Sequence, residues 1–327
     1  MHIPDGVLSP EVCVGCGVLS ASAVGYSLYR LRDSLADRTV PLTGMMASLV
    51  FAGQMINFPL PGMPVSGHLI GGVLCASILG PWAGCLAMTL VLVVQCILYA
   101  DGGLLALGAN LLNMAVVNAW GGYAIWTVAR SLFGKHPRGM VSAAVAAAWM
   151  SVMASAALFC LEFRLSWPGT EFDFSRIFGL MVLLHALIGI GEALITGSVL
   201  RFVLAHRADL IQMAPQASAS IPASVGRFVV AGTMAAFVAA AFLSPFASEW
   251  PDGLEAVAER TGFNELQRTP QAFFLDDYAL PGLPEQWSPL SVSLAGLLGV
   301  IVVMFLAWGF GKAWKMTMYS AKATDGR

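Results

Sequence analysis

Apolar stretches separated by short polar loops occupy most of this 327-residue chain. They lie at about residues 12–29, 42–58, 69–80, 82–99, 104–129, 139–163, 177–200, 227–245 and 290–311. Most approach the roughly 20 residues that a helix needs to cross a bilayer. Because lipid offers no partner to backbone N–H and C=O groups, such segments fold as α-helices. The sequence therefore predicts an all-α, polytopic membrane protein with nine membrane segments, two of them short helices separated by a tight turn at Gly80-Pro81.

Composition supports the same class. Only 11% of the residues are charged, against about 25% in soluble domains. Basic residues cluster in four regions, which are Arg30, Arg32 and Arg38; Arg130, Lys135 and Arg138; Arg201, Arg207 and Arg227; and Lys312, Lys315, Lys322 and Arg327. Because basic loops favour the cytoplasmic side, we expect a plasma-membrane protein, inner-membrane in a two-membrane cell, with its N-terminus outside and its C-terminus in the cytoplasm.

A polar stretch near residues 208–224 is typical of a linker, since Pro, Ser and Gln interrupt the hydrophobic pattern there. It divides the chain into a membrane module of about seven helices, residues 1–210, and a two-helix module, residues 218–327. The second module carries an external loop at about 246–289, where acidic residues outnumber basic ones. That loop either concentrates cations near the outer face or is an ordinary solvated loop.

The first two residues, Met1 and His2, form a chelating unit if the mature chain begins there with a free amine, as we expect. The terminal amine, the deprotonated backbone nitrogen of His2 and Nδ1 of its imidazole can close a five-membered and a six-membered ring on one ion. A fourth nitrogen would complete a square plane, which favours Ni(II) or Cu(II) over tetrahedral Zn.

His68 is the best candidate for that fourth nitrogen. It lies in a glycine-rich turn, residues 62–72, that opens an apolar segment and is predicted on the same side of the membrane as Met1. The alternative is a histidine at a helix start that bonds only a neighbouring carbonyl. The predicted metal ligands are therefore Met1, His2 and His68.

Polar residues inside the apolar stretches are costly and need partners. They could orient the ligands of a metal site, or they could simply join helices by hydrogen bonds. The candidates for an outer shell are Gln54, Asn57, Ser66, Asn110, Asn113, His185 and Glu192.

Several chemistries are missing from the sequence. It has no G-x-x-x-x-G-K-[ST] loop, because Gly311-Lys312 is followed by Ala313, so it cannot itself supply a Walker-type ATPase. It also lacks the H-E-x-x-H and G-x-S-x-G motifs of common hydrolases. We therefore expect no enzyme activity and no catalytic residue, and any energy must come from a partner subunit or a gradient.

The opening decapeptide MHIPDGVLSP, the Ser66-Gly67-His68-Leu69 turn and the segment 51–57 resemble the NikM/CbiM family, the metal-capturing S components of energy-coupling-factor transporters for nickel and cobalt. Residues 218–327, with the string PDGLE at 251–255, are similar to the small companion subunit of these systems, fused in one chain. The resemblance implies that Met1, His2 and His68 hold Ni(II) or Co(II) as the transported substrate, with no organic cofactor. It also implies a transmembrane coupling subunit and cytosolic ATPase subunits as partners, in a lipid bilayer and without nucleic acid.

Nickel is favoured over cobalt because Pro4-Asp5 stands where cobalt members often have Met-Glu, and because of PDGLE. Two other classes of function stay open. One is a membrane-embedded metalloenzyme with His185 or Glu192 as acid or base, although catalysis usually requires an open ligand position. The other is an autonomous channel or carrier with Gln54, Asn110 and Asn113 along its path.

Overall fold

The computed structural model describes residues 1–32, 39–211, 225–268, 275 and 278–325. Arg38, most of the predicted linker at 208–224, and Asp276 and Asp277 of the acidic loop lie outside these residues. The described chain is almost entirely helical, which confirms the predicted all-α class. Its helices are α1 Pro10–Leu31, α2 Thr39–Gln54, α3 Gly72–Leu79, α4 Pro81–Tyr99, α5 Leu107–Asn110, α6 Gly122–Phe133, α7 Pro137–Ser166, α8 Phe174–Arg207, α9 Val225–Val238, α10 Gly253–Thr261 and α11 Ser288–Asp325.

Among the described residues, six helical stretches are long and apolar enough to cross a membrane. They are Pro10–Leu31, Pro81–Tyr99, Pro137–Ser166, Phe174–Leu210, Val225–Phe246 and Ser288–Ala313. The other predicted stretches are helical too, but α2 has 16 residues and α3 only 8, fewer than the roughly 20 that a crossing needs. The chain is therefore a multi-pass membrane protein.

Local sequence explains where several helices begin and end. Ser9 caps α1 by accepting a hydrogen bond from the Val12 N–H, and Pro10 follows at the first helical position, where its missing N–H costs nothing. Gly80 ends α3 at a φ of 82°, and Pro81 begins α4, as predicted. A π-helical stretch, Leu111–Gly121, joins α5 to α6.

The centre of the bundle is α3, in which every residue is buried. Just before it, a two-stranded antiparallel ribbon pairs β1, Phe58–Pro59, with β2, Ser66–Gly67. The ribbon delivers His68 to the start of the central helix. At the same end of the molecule the first nine residues run as non-helical chain into the bundle, where Ile3 and Val7 are buried.

The external loop expected at about 246–289 contains more structure than a loop. Its residues 253–261 form α10, which begins with a capping box between Asp252 and Glu255. Leu254 and Val257 of α10 are buried beside Met1 and Ile3, so this segment packs over the N-terminal residues.

Candidate metal centre

The amine of Met1 lies 2.6 Å from Nε2 of His68, although 67 residues separate the two in sequence. Both side chains are nearly inaccessible, with exposed fractions of 4% and 7%. The imidazoles of His2 and His68 stack with their centroids 5.2 Å apart and their planes 21° from parallel. The three residues predicted as ligands therefore lie together.

The tautomer of His68 follows from its neighbours. Its Nδ1 is 3.0 Å from the carbonyl oxygen of Leu69, which can only accept a hydrogen bond, so Nδ1 carries the proton. Nε2 then presents a lone pair towards the Met1 amine. The pKa of His68 is lowered, because burial disfavours the imidazolium and the charged amine of Met1 repels it. A neutral imidazole with a free Nε2 is the form that binds metals.

A carboxylate from the far end of the chain completes this group. Asp252 Oδ2 accepts a hydrogen bond from the Met1 amine and lies 3.6 Å from His68 Nε2. Burial raises the pKa of Asp252, but the positive charge of the amine and the contact with His68 outweigh burial and hold the pKa well below its ordinary value. Asp252 is therefore a carboxylate in this setting.

His2 has partners of its own. Its Nδ1 is 3.0 Å from Asp101 Oδ1, and its Nε2 is 3.2 Å from Gln95 Oε1. Asp101 also accepts a hydrogen bond of 2.7 Å from the Tyr278 hydroxyl. Although burial raises the pKa of Asp101, His2 and Tyr278 stabilise its charge and bring the pKa below the ordinary value.

The residues after His2 are fixed through backbone contacts. Asn110 pairs with Ile3 twice, accepting from its N–H at 2.7 Å and donating to its carbonyl at 3.0 Å. Asp5 accepts the N–H groups of residues 104–106 at 2.8–3.1 Å. Gly103 allows this approach, because a Cβ there would lie 2.1 Å from Asp5 Oδ1. The N-terminal chain thus enters the bundle along one defined path.

Two predicted outer-shell residues hold the turn that follows His68. Glu192 accepts the N–H groups of Ile70 at 2.6 Å and Gly71 at 2.9 Å. Gln54 donates to the Ile70 carbonyl at 2.8 Å. Since these contacts fix the backbone next to His68, they also fix the position of its ring.

The remaining predicted residues have different surroundings. Ser66 donates to the Trp250 carbonyl at 2.6 Å and so joins the His68 turn to the C-terminal segment. His185 lines a cavity of about 10 Å³ together with Met1, His68 and Asp252, about the volume that one water-sized sphere fills. Asn113 instead donates to Glu162 at 2.8 Å, and the carbonyl of Asn57 accepts from Ser248 N–H at 2.8 Å.

Within the described residues, no three His, Cys, Asp or Glu side chains converge on one point that could hold a metal ion. Sequence reasoning missed the carboxylates Asp5, Asp101 and Asp252. Asp252 had a visible signal, the D-x-x-E spacing of a capping box, but its contact with Met1 spans 251 residues.

Replacing Glu192 with Gln tests the support behind His68. The amide can accept only one of the two N–H groups. If His68 is a metal ligand, as the sequence predicts, we therefore expect the affinity for Ni²⁺ to fall about 10- to 100-fold, the usual effect of changing a residue that orients a metal ligand. Thr196→Val is the matched control, because Thr196 is one turn further along α8, fully buried, and its hydroxyl has no hydrogen-bond partner among the described residues. Equilibrium dialysis with Ni²⁺ measures both, and equal affinities for Glu192→Gln and wild type would contradict the supporting role.

The fold and the site define a class: a multi-helical membrane protein whose buried polar centre is built around its N-terminal amine and two imidazoles. A family model described as the cobalt uptake substrate-specific transmembrane region, CbiM, matches residues 2–210, and the PDGLE domain model matches residues 226–316. The chain belongs to the CbiM family.

Named relatives agree with this family. A putative fused nickel transport protein NikMN of Archaeoglobus fulgidus is 36% identical over 326 residues, 99% of this chain and 100% of that protein. The cobalt transport protein CbiM of Sorangium cellulosum is 28% identical over 227 residues, 67% of this chain and 100% of that protein. A solved structure described as a truncated transition metal transporter superposes with a TM-score of 0.57 at 31% identity, covering 63% of this chain and 99% of that one.

Proposed function

We propose that this chain is the substrate-binding membrane component of an ATP-driven nickel uptake transporter of the energy-coupling-factor type. It binds Ni(II) through the Met1 amine, the backbone nitrogen and Nδ1 of His2, and Nε2 of His68. The observation that carries the proposal is the buried contact of 2.6 Å between the Met1 amine and His68 Nε2.

The 2.6 Å between the Met1 amine and His68 Nε2 is close to the spacing of two neighbouring nitrogen ligands in a square-planar metal site. With metal–nitrogen bonds of about 2 Å, neighbouring ligands in a square lie about 2.8 Å apart. In the proposed chelate the amine and Nδ1 of His2 occupy opposite corners, so the fourth nitrogen must lie next to the amine. His68 Nε2 has that position relative to Met1, which leaves one edge of the square formed before any ion arrives.

In the metal-free protein, Nδ1 of His2 and Nε2 of His68 are not yet placed as neighbouring ligands of one ion. His2 Nδ1 contacts Asp101, and the two imidazoles stack rather than direct nitrogens at a common point. Binding therefore includes a rotation of the His2 ring in which Nδ1 exchanges Asp101 for the ion. The hydrogen bond from Tyr278 continues to stabilise Asp101 after the exchange.

Nickel is the proposed substrate because the saturated four-nitrogen plane suits Ni(II) and because the relative that this chain matches end to end is named for nickel. Cobalt is the alternative, favoured by the family description and by the cobalt protein of Sorangium cellulosum. Protein purified from cells supplied with both ions in equal amounts should contain more nickel than cobalt by elemental analysis. A cobalt excess would assign the substrate to cobalt.

We further propose the division into a metal-capturing module, residues 1–210, and a companion module, residues 218–327. In this proposal the N-terminus faces outwards and the C-terminus the cytoplasm. Since no Walker loop occurs in the chain, a coupling subunit and separate ATPase subunits supply the energy.

Uptake of radioactive nickel tests the energy source. The chain is expressed in nickel-uptake-deficient cells with the coupling and ATPase subunits of a nickel system, and again with ATPases whose P-loop Lys is replaced by Ala. We expect uptake to fall to background with the Ala variant, because that Lys contacts the transferred phosphates. Undiminished uptake would indicate an autonomous channel or carrier instead.

A further inference from the structure

Asp252 uses both oxygens of its carboxylate. Oδ1 accepts the N–H groups of Leu254 at 2.7 Å and Glu255 at 2.9 Å, which caps α10. Oδ2 is left for the amine of Met1. One side chain thus both starts a helix in the C-terminal segment and binds the first residue of the protein.

The position of this carboxylate is fixed from several sides. Glu255 accepts the N–H of Asp252 at 2.9 Å and closes the capping box. The carbonyl of Pro251 accepts the N–H of Ser66 at 2.8 Å, which ties the chain before Asp252 to the turn that carries His68. The contact between Asp252 and Met1 is therefore held by backbone on both sides rather than by two flexible side chains.

The residue after Asp252 must be small. A Cβ on Gly253 would lie 2.6 Å from Cδ1 of Ile188 and 3.0 Å from Cε1 of His185. A larger residue would have to displace the Ile188 side chain, whereas glycine lets the backbone pass this close to α8 and bring Asp252 to the amine. The string PDGLE at residues 251–255 thus has a physical reading: Asp252 binds and caps, Gly253 permits close approach, Leu254 is buried and Glu255 completes the cap.

The same contact suits the empty and the metal-loaded protein. A primary amine that gives its lone pair to a metal keeps two N–H bonds, and one of these can still be donated to Asp252. A carboxylate that accepts from a ligand in this way fixes the direction of its lone pair. In the metal-free protein the amine directs an N–H to His68 Nε2, 2.6 Å away, so an ion that replaces this proton would meet both nitrogens.

We propose that Asp252 is a positioning residue of the metal centre, supplied by the C-terminal segment: it holds the Met1 amine beside His68 so that the amine lone pair faces the ion. The inference rests on the proposed function, because it concerns the same ligands. It means that a site whose ligands all lie in the first 68 residues is completed by a residue 251 positions away.

Asp252→Asn tests this role. Asparagine is as good an N-cap as aspartate, so α10 is retained, while the acceptor facing the amine becomes a neutral amide. Asp173→Asn is the matched control, since Asp173 caps α8 in the same manner, with its Oδ1 3.1 Å from the Arg176 nitrogen, and is exposed.

Two measurements on detergent-purified, full-length protein are compared. The first is the rate at which a water-soluble N-hydroxysuccinimide ester acylates the Met1 amine of metal-free protein, followed by mass spectrometry of the N-terminal peptide. The second is the rate at which bound Ni²⁺ is released to an excess of chelator. For Asp252→Asn we expect faster acylation, because the amine loses its charged partner, and nickel release about 10- to 100-fold faster, the usual effect of an outer-shell change. Asp173→Asn should match wild type in both.

Each outcome has a separate meaning. If wild type retains nickel and Asp252→Asn releases it at the wild-type rate, the positioning role is wrong while the proposed function stands. If acylation is equally fast in both proteins, Asp252 does not hold the amine. If wild type retains neither Ni²⁺ nor Co²⁺, the proposed function fails, and the acylation rates alone decide whether the contact exists.

Discussion

His68→Ala should remove nickel retention from the purified protein. The substitution deletes the one proposed ligand that does not come from the N-terminal dipeptide. We therefore expect nickel affinity to fall by more than the roughly 100-fold upper range for residues that only orient a metal ligand. The turn itself should persist, because Glu192 and Gln54 bind the backbone of residues 70 and 71 rather than the imidazole. Nickel content after gel filtration, measured by atomic absorption, gives the result.

His206→Ala is the matched control for this experiment. Like His68, His206 has its Nδ1 bonded to a backbone carbonyl, that of Phe202 at 2.9 Å. Unlike His68, it is exposed, and it lies in the last turn of α8. It should retain nickel like wild type. Retention by a folded His68→Ala protein, with unchanged circular dichroism and thermal transition, would exclude His68 as a ligand.

The proposed ligands could be named from sequence because the hypothesis rests on local chemistry. A histidine directly after a free amine can chelate without any knowledge of the fold, and such a chelate lacks one nitrogen. His68 was then the histidine in a glycine-rich turn on the predicted outer side. The helices were predictable for a similar reason, since apolar stretches and breaks such as Gly80-Pro81 are properties of neighbouring residues.

The carboxylates around the ligands were not predictable in this way. Asp101 follows the end of α4, where an acidic residue usually faces solvent, and Asp252 precedes α10, where one usually caps the helix. Asp101 meets His2 because the N-terminal chain runs past the end of α4, and Asp252 meets Met1 because the C-terminal segment packs on the N-terminal residues. Neither spacing nor periodicity reports such contacts. The π-helical stretch at Leu111–Gly121 was missed because a continuous apolar run has no pattern that distinguishes π from α geometry.

The surroundings of His185 bear on the alternative of a membrane-embedded metalloenzyme. A metalloenzyme with His185 as acid or base would need that imidazole to reach a bound ion. His185 Nδ1 is 2.9 Å from the Met181 carbonyl, which leaves Nε2 facing Gly253 beside a cavity of about 10 Å³. An ion that His185 reaches would therefore lie in the cavity that Met1, His68 and Asp252 also line.

Adding the dipeptide Met-Gly ahead of Met1 should abolish nickel retention without changing any side chain of the site. Two residues are added because a single one would place a free amine two residues before the histidine, where that amine, two backbone nitrogens and the imidazole could form a square plane on their own. The former Met1 amine becomes a peptide nitrogen, and the new amine lies about 7 Å further along the chain. The pocket cannot absorb the addition, since Met1 is 4% exposed and Asp252 already fills the space beside the amine. We expect a loss at least as large as that of His68→Ala, because the extension removes a ligand and also the partner of Asp252.

A Gly-Gly dipeptide added after Arg327 is the control, since it lengthens the chain by two residues at the C-terminus. Intact-mass spectrometry must first establish that each protein starts at the intended residue. Nickel retention is then compared with that of the protein that starts at Met1. If the N-terminally extended protein holds nickel as well as that protein does, the amine is not a ligand, and the square plane of Met1, His2 and His68 cannot be the site. Loss of retention in the N-terminally extended protein alone would show that nickel binding needs a free amine at Met1, a ligand that no side-chain substitution can test.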